Sequence, residues 1–103
     1  MKYGINSGVN YKISDMADVL AHETAAGIFA GDARDDAYEL LDLIQELKDL
    51  YLDVVADICD SRGIEYEWDD NALDITGRIP AGLDLISIAT GHFNAITRRE
   101  YGA

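Results

Sequence analysis

Apolar side chains recur at helical spacing through the middle of the chain, between Asp32 and Asp60. On a helix of 3.6 residues per turn these side chains fall on one face. The set is Leu40, Leu43, Ile44, Leu47, Leu50, Tyr51, Val54, Val55 and Ile58. Asp32 is a suitable N-cap, no glycine or proline interrupts residues 32–62, and Gly63 stands where a left-handed C-terminal cap is expected. The pattern predicts a central amphipathic helix about 45 Å long.

Carboxylates follow the neighbouring face of this helix. From Asp35 on, leaving Asp36 aside, successive acids are three or four residues apart, which keeps them in one row. We call the row the acidic stripe: Asp32, Asp35, Asp36, Glu39, Asp42, Glu46, Asp49, Asp53, Asp57 and Asp60. A solvated helix face usually interleaves both signs of charge, whereas this stripe contains almost no Lys or Arg. A solvated face and a phosphate-like row of charges both stay open as interpretations.

A shorter helix is predicted before the central one. Residues 1–13 contain scattered Gly, Ser and Asn and are predicted to be irregular or extended. Ser14 is a suitable N-cap, and Gly27 or Gly31 is expected to end this helix.

The pattern changes after Gly63. Residues 64–69 alternate apolar or aromatic side chains with acids, which is the period of a half-buried strand. The apolar members are Ile64, Tyr66 and Trp68. Asp70-Asn71 is a turn signal, so residues 64–75 predict a minor β-hairpin. The alternative is an extended loop that anchors the same three side chains under the helices.

A last helix is predicted from Pro80, which is tolerated in a first helical turn. Its apolar residues recur at helical spacing, at Leu83, Ile86, Ala89, Phe93 and Ile96. Residues 85–89 are also compatible with a strand. The whole pattern predicts a mainly α fold, a small helical domain around the long acidic helix with a minor hairpin.

The composition adds a large negative net charge to this predicted helical fold. The 103 residues carry a net charge of −12, and their 49% apolar content excludes a disordered acidic tail. The length predicts one domain, residues 1–103. Residues 15–74 hold 18 of the 20 acids against three bases, so the charge is regional. Direct nucleic-acid binding is disfavoured because no basic patch offsets these acids.

Cysteine usage and hydropathy indicate the compartment. Cys59 is the only cysteine, which excludes an intramolecular disulfide and favours a reducing environment. No signal segment and no apolar run of membrane-spanning length is evident. A soluble cytoplasmic protein is predicted.

Candidate catalytic chemistry is limited to the acids. Asp35, Asp36 and Glu39 share a helical turn that can hold Mg²⁺. The acid-x-x-acid pairs resemble those of all-α nucleotide pyrophosphohydrolases, in which facing helices bring such pairs to one pocket. Those pairs are Glu39/Asp42, Glu46/Asp49 and Asp57/Asp60. Here they lie along one helix, so we predict no catalytic residue, metal or cofactor, and keep the hydrolase as a minor alternative.

One segment resembles a known family. It has Ala-Asp-Ile at 56–58, then Ser61, then Gly-Ile-Glu-Tyr-Glu-Trp-Asp-Asp at 63–70, and Leu73. The Ocr-type antirestriction proteins of tailed phages have a similar Ala-Asp-Ile, followed by Gly-Ile-acid-apolar-acid-aromatic-acid-acid, after an acidic helix. The resemblance covers about residues 11–75.

The resemblance implies a function. Ocr-type proteins are acidic, mostly helical homodimers whose carboxylates mimic bent duplex DNA and block restriction and related defence enzymes without catalysis. The matched positions imply mimic roles for Asp57, Glu65, Glu67, Asp69 and Asp70, to which this chain's own pattern adds the acidic stripe. The implied partner is a DNA-binding protein or nuclease complex of a bacterial host.

The C-terminus departs from that family. The family ends in a further acidic helix, whereas this chain carries Arg98 and Arg99 near its end. The mimic surface is therefore smaller, or the target differs, for example a CRISPR effector. A function of another class is a non-mimic, antitoxin-like interaction module, which predicts an exposed apolar patch along Leu41, Leu52 and Ala56.

Overall fold

The computed structural model describes residues 6–29 and 37–102 of the chain. The elements in order are α1 (Ser7–Phe29), α2 (Ala37–Arg62), β1 (Tyr66–Asp69), β2 (Ala72–Ile75) and α3 (Leu85–Tyr101). The two strands form one antiparallel hairpin. The predicted mainly α fold with a long acidic helix and a minor hairpin is confirmed.

The central helix α2 ends where its sequence predicts. Gly63 follows it with a left-handed φ of 69°. The Ile64 N–H donates to the Cys59 carbonyl oxygen at 2.8 Å, and the Gly63 N–H donates to the Asp60 carbonyl oxygen at 3.4 Å. These two bonds are the Schellman pattern that satisfies the last carbonyls of a helix. The predicted start at Asp32 lies outside the described residues.

The predicted start of the first helix at Ser14 is wrong, because α1 begins at Ser7 and places Ser14 on its exposed side. The side chains of Asn6 and Asn10 bind the hairpin backbone in this first turn. Ile13 extends the apolar face by one turn and is fully buried. Tertiary contacts therefore override the weak helix propensity of the Gly- and Asn-containing segment.

A row of small residues packs α1 against α2. The buried positions are four residues apart, at Ile13, Ala17, Ala21 and Ala25. Small side chains at this spacing form a ridge on which a second helix packs closely. At the border of the contact the Lys48 Nζ lies 3.4 Å from the Asp18 Oδ1. The helix passes Gly27 and ends at Phe29, whereas the other predicted end, Gly31, lies outside the described residues.

The last helix begins later than predicted, at Leu85 instead of Pro80. Its N-cap is Asp84, whose Oδ1 accepts from the Ser87 N–H at 3.1 Å. Gly82 has a φ of 83°, a left-handed conformation that a helix starting at Pro80 does not allow. The strand alternative for residues 85–89 is wrong. The helix buries every fourth residue, namely Leu85, Ala89, Phe93 and Thr97.

The hairpin buries its second strand. The pairs run from Tyr66 with Ile75 to Asp69 with Ala72, and Asp70, with a φ of 55°, forms the turn. Ile75 is 1% exposed, whereas Trp68 on β1 is 47% exposed. The alternation in residues 64–69 predicted a strand correctly, but it overstated the burial of Trp68. β2 has the contacts with α1 and α2, so β1 is the outer strand.

Asparagine side chains close the free edge of β2. The Asn6 Nδ2 donates to the Ile75 carbonyl oxygen at 2.9 Å and to the Gly77 carbonyl oxygen at 2.6 Å. The Asn10 Oδ1 accepts from the Ile75 N–H at 3.0 Å, and its Nδ2 donates to the Asp74 Oδ1 at 2.7 Å. Asn10 thus takes the place of a neighbouring strand, which ties the hairpin to α1.

Replacing this asparagine should destabilise the fold. We expect Asn10→Ala to lower the free energy of unfolding by about 1–3 kcal/mol, because the part-buried Ile75 N–H loses its acceptor. Denaturant-induced unfolding measures the change. Asn94→Ala, an exposed position in α3, is the control and should stay within about 0.5 kcal/mol of the parent. Equal stability of the two variants would contradict the role given to Asn10.

Candidate functional site

Every carboxylate of the acidic stripe that lies in the described residues is exposed. At about 100° per residue its members on α2 fall within an arc of about 80°. They are Glu39, Asp42, Glu46, Asp49, Asp53, Asp57 and Asp60. The helical rise spaces them over about 31 Å. Asp32, Asp35 and Asp36 lie outside the described residues, so their place in the stripe stays a prediction.

Uncharged donors form hydrogen bonds with two carboxylates of the stripe. The Asp49 Oδ1 accepts from the Gln45 Nε2 at 3.0 Å, and the Asp60 Oδ2 accepts from the Tyr66 hydroxyl at 2.9 Å. The phenol of Tyr101, at the end of α3, lies close enough to Glu46 for the charge of this carboxylate to raise the phenol's pKa after the larger effect of burial. The two hydrogen bonds orient carboxylates and leave their negative charge in place.

The lysine of α2 points away from the stripe. Lys48 pairs with Asp18, which also lies 3.5 Å from the His22 Nδ1. Within residues 6–29 and 37–102, Asp42, Asp53 and Asp57 form no side-chain hydrogen bond or ion pair. The middle of the stripe is therefore a row of uncompensated charges.

Two tyrosines beside the stripe keep their protons. The hydrogen bond to Asp60 raises the pKa of the Tyr66 phenol. Burial, followed by the charges of Glu46 and Glu100, raises the pKa of Tyr101. Burial also raises the pKa of Tyr51 in the core. Each phenol is therefore held in its neutral, hydrogen-bond-donating form.

Alkaline pH should accordingly destabilise the fold. These three pKa values exceed the ordinary tyrosine value of 10.0, so folding favours the protonated phenols. Their contribution to stability is complete below pH 10.0 and is lost as the pH rises through the raised values. Thermal unfolding measured on both sides of this pH should show the fall, and Tyr101→Phe should make the fall shallower. An unchanged slope in that variant would contradict the assignment.

The hairpin brings further carboxylates to the side of α2. A groove of about 310 Å³ is lined by Asp49 and Asp53 of α2 and by Trp68, Asp70 and Asn71 of the hairpin. The predicted mimic residues of the hairpin are all exposed, at Glu65, Glu67, Asp69 and Asp70. The structure thus joins Asp70 to the middle of the stripe. Sequence periodicity gave no signal that Trp68 lines the same groove.

The exposed apolar patch predicted for an antitoxin-like module does not form, because two of its three residues are buried. Leu41 is 61% exposed, but Leu52 and Ala56 are each only 6% exposed and belong to the core. Both belong to the core cluster that also contains Leu73 of the hairpin. The expected patch along Leu41, Leu52 and Ala56 is therefore wrong, because two of its three members pack into the core.

The remaining reactive side chains do not assemble into a site. In the described ranges, no group of three or more His, Cys, Asp or Glu is placed to hold a metal ion. Cys59 is buried, and this burial raises the pKa of its thiol. His92 lies beside Asp57 in a shallow groove, away from His22 at the Asp18 pair. The acid-x-x-acid pairs of α2 follow one line along the helix.

No protein-family model matches the chain, and neither the search of curated proteins nor that of solved structures found a match. The Ocr-type resemblance therefore stays a prediction from the sequence. None of the helices in the described residues is long and apolar enough to cross a membrane.

Proposed function

We propose that this protein is a phage-type acidic inhibitor that acts as a DNA mimic in the cytoplasm of a bacterial host. It occupies the DNA-binding groove of a defence enzyme, of the restriction or CRISPR type, and blocks it without catalysis. One observation carries the proposal: the described part of the acidic stripe is a continuous exposed row along α2, and its Lys48 is engaged elsewhere.

The spacing of the charges supports the mimicry. Seven carboxylates over about 31 Å of helix recur about every 5 Å. B-DNA carries about one charge per 1.7 Å of axis over both strands, or per 3.4 Å along each strand. The charge spacing of the stripe is therefore comparable to that of the phosphates along one DNA strand, but somewhat wider. A groove lined by Lys and Arg attracts DNA and this protein in the same way, because either ligand is steered towards it and neutralises its positive charge.

The rigidity of the row also supports the proposal. A single α-helix fixes the spacing of the carboxylates, so little conformational entropy is lost when a partner binds them. Hydrogen bonds from Tyr66 and Gln45 hold Asp60 and Asp49 in defined orientations. Arg98 and Arg99 near the end of α3 limit the acidic surface on that side. The Ocr-type resemblance adds a homodimer as the proposed active form.

The other candidate functions have less support. An antitoxin-like module bound through an apolar patch needs Leu52 and Ala56 at the surface, and both are buried. A Mg²⁺-dependent pyrophosphohydrolase needs carboxylates that converge on one pocket, and the described pairs of α2 lie in a row. A nucleotide-turnover assay with Mg²⁺ is the direct check on the second alternative.

Affinity capture from a bacterial lysate tests the proposed function. The immobilised protein should retain a nuclease or a DNA translocase, and added duplex DNA should elute it because both ligands compete for one groove. A parallel column with lysine at positions 46, 49 and 53 is the control and should retain much less of that enzyme. Retained proteins that stay bound in excess DNA would contradict the proposal.

A further inference from the structure

The two edges of the hairpin differ. On β2 the Ile75 N–H and carbonyl face outward, and α1 satisfies both through Asn6 and Asn10. The corresponding edge of β1 borders an open groove. Proteins usually cover, charge or shorten such an edge, because its unpaired backbone groups can pair with another chain.

The hydrogen-bonding pattern between the two strands shows which backbone N–H and carbonyl groups of β1 point away from β2. The Thr76 N–H donates to the Glu65 carbonyl oxygen at 3.0 Å, so these two residues are a hydrogen-bonded pair. Antiparallel pairs alternate, so Tyr66 opposite Ile75 and Trp68 opposite Leu73 direct their N–H and carbonyl groups away from β2. Among the described residues, none forms a hydrogen bond with these four groups.

An open groove lies beside this edge. A groove of about 620 Å³ runs along β1 beside the end of α2, and its lining includes Asp60, Ile64, Tyr66 and Trp68. Trp68 also lines the groove of about 310 Å³ that continues to Asp53. The open edge therefore borders two shallow grooves, and the half-exposed indole ring of Trp68 lines both of them.

We propose that β1 binds an extended basic segment of a partner protein as an added, third strand. The backbone groups of Tyr66 and Trp68 supply the hydrogen bonds of strand addition. The rim carries carboxylates from both sides, from Asp60 and Glu65 and from Asp53 and Asp70. A lysine or arginine beside Trp68 gains from those charges and from the indole face.

Charge complementarity selects this occupant over a second copy of the chain. Pairing β1 with itself brings two copies of Tyr-Glu-Trp-Asp together, and opposed acids destabilise a strand pair. A basic segment removes the repulsion. The proposal does not rest on DNA mimicry, because the stripe and the backbone edge are altered by different substitutions.

Two synthetic peptides test the proposal on the unaltered chain. One alternates arginine and valine, and its matched control has proline in place of the central valines, which keeps the charge but prevents strand pairing. Calorimetry should show the first peptide binding at least about tenfold more tightly, the value of one or two hydrogen bonds. Hydrogen exchange should show new protection of the Tyr66 and Trp68 amides. Equal binding of the peptides, or protection confined to α2, would overturn the proposal.

A pair of variants isolates the backbone donor. Trp68→Pro and Trp68→Thr both remove the indole ring, but only proline removes the outward N–H, which an edge strand tolerates. Trp68→Thr should bind the arginine–valine peptide several-fold more tightly than Trp68→Pro, the range expected for one hydrogen bond. Equal affinities would contradict strand addition. A free chain that is dimeric with its Tyr66 and Trp68 amides already protected would assign the edge to a second copy and overturn the proposal.

Discussion

Reversing three charges of the acidic stripe together, by Glu46→Lys, Asp49→Lys and Asp53→Lys, should abolish competition with DNA. Each carboxylate that faces a basic groove becomes a like charge, and such juxtapositions cost several kcal/mol each. Affinity for the target should therefore fall by at least about a thousandfold, since each 1.4 kcal/mol is tenfold. The measurement is displacement of labelled duplex DNA from the captured enzyme.

A matched control separates the geometry of the stripe from the net charge. Asp15→Lys, Glu23→Lys and Glu100→Lys change the net charge by the same amount at exposed positions outside the stripe. This variant should retain most of the affinity and lose mainly association rate, because distant charges contribute to steering. Equal losses in the two variants would show that total charge, and not the row on α2, determines binding. Thermal unfolding of both variants should confirm that each is folded.

Replacing Phe93 of α3, whose ring contacts α2, with alanine should have the largest effect on the stability of the fold. Phe93 is fully buried, and its ring meets that of Tyr51 edge-on, with the ring centres 5.7 Å apart. Phe93→Ala should lower the free energy of unfolding by about 3–5 kcal/mol, the cost of deleting a buried aromatic ring and leaving a cavity. Denaturant titration measures this change.

The matched variant for this position is Phe93→Leu. It keeps most of the apolar volume and removes the edge-to-face contact, so its loss should be clearly smaller than that of alanine. A loss below about 1 kcal/mol for Phe93→Ala would mean that the site collapses without a cavity, and would contradict the place given to Phe93 in the core. Phe93→Ala should also loosen the end of α3, where the phenol of Tyr101 lies near the carboxylate of Glu46.

Local signals predicted part of the fold. The end of α2 at Gly63 follows from a conformation that glycine adopts easily, and the Asp70-Asn71 turn is likewise encoded in two adjacent residues. The starts of α1 and α3 were missed for different reasons. Asn6 and Asn10 hold the first turn of α1 through contacts with residues more than 60 positions away. For α3 the sequence contains two local start signals, and the cap forms at Asp84, whereas Pro80 lies in the preceding loop.

The candidate site, like the fold, was predicted only in part. Helical periodicity predicted which acids of α2 share an exposed face, because the spacing alone sets their angular positions. It did not predict that the hairpin folds back beside α2, bringing Trp68 and Asp70 to Asp49 and Asp53. Nor did periodicity predict that Leu52 and Ala56 are buried in the core. These features depend on contacts between distant segments, which a repeat of three or four residues does not contain.

If the stripe and DNA compete for one basic groove, the protein must displace DNA from the enzyme, which a two-ligand binding measurement at several salt concentrations can show. Labelled duplex DNA is bound to the captured enzyme, and the protein is titrated in. We expect full displacement of DNA, with no complex containing both ligands, and an inhibitor affinity that falls steeply as salt rises. A stable complex of enzyme, DNA and protein together, or an affinity that does not change with salt, would show that the stripe and DNA do not share one groove.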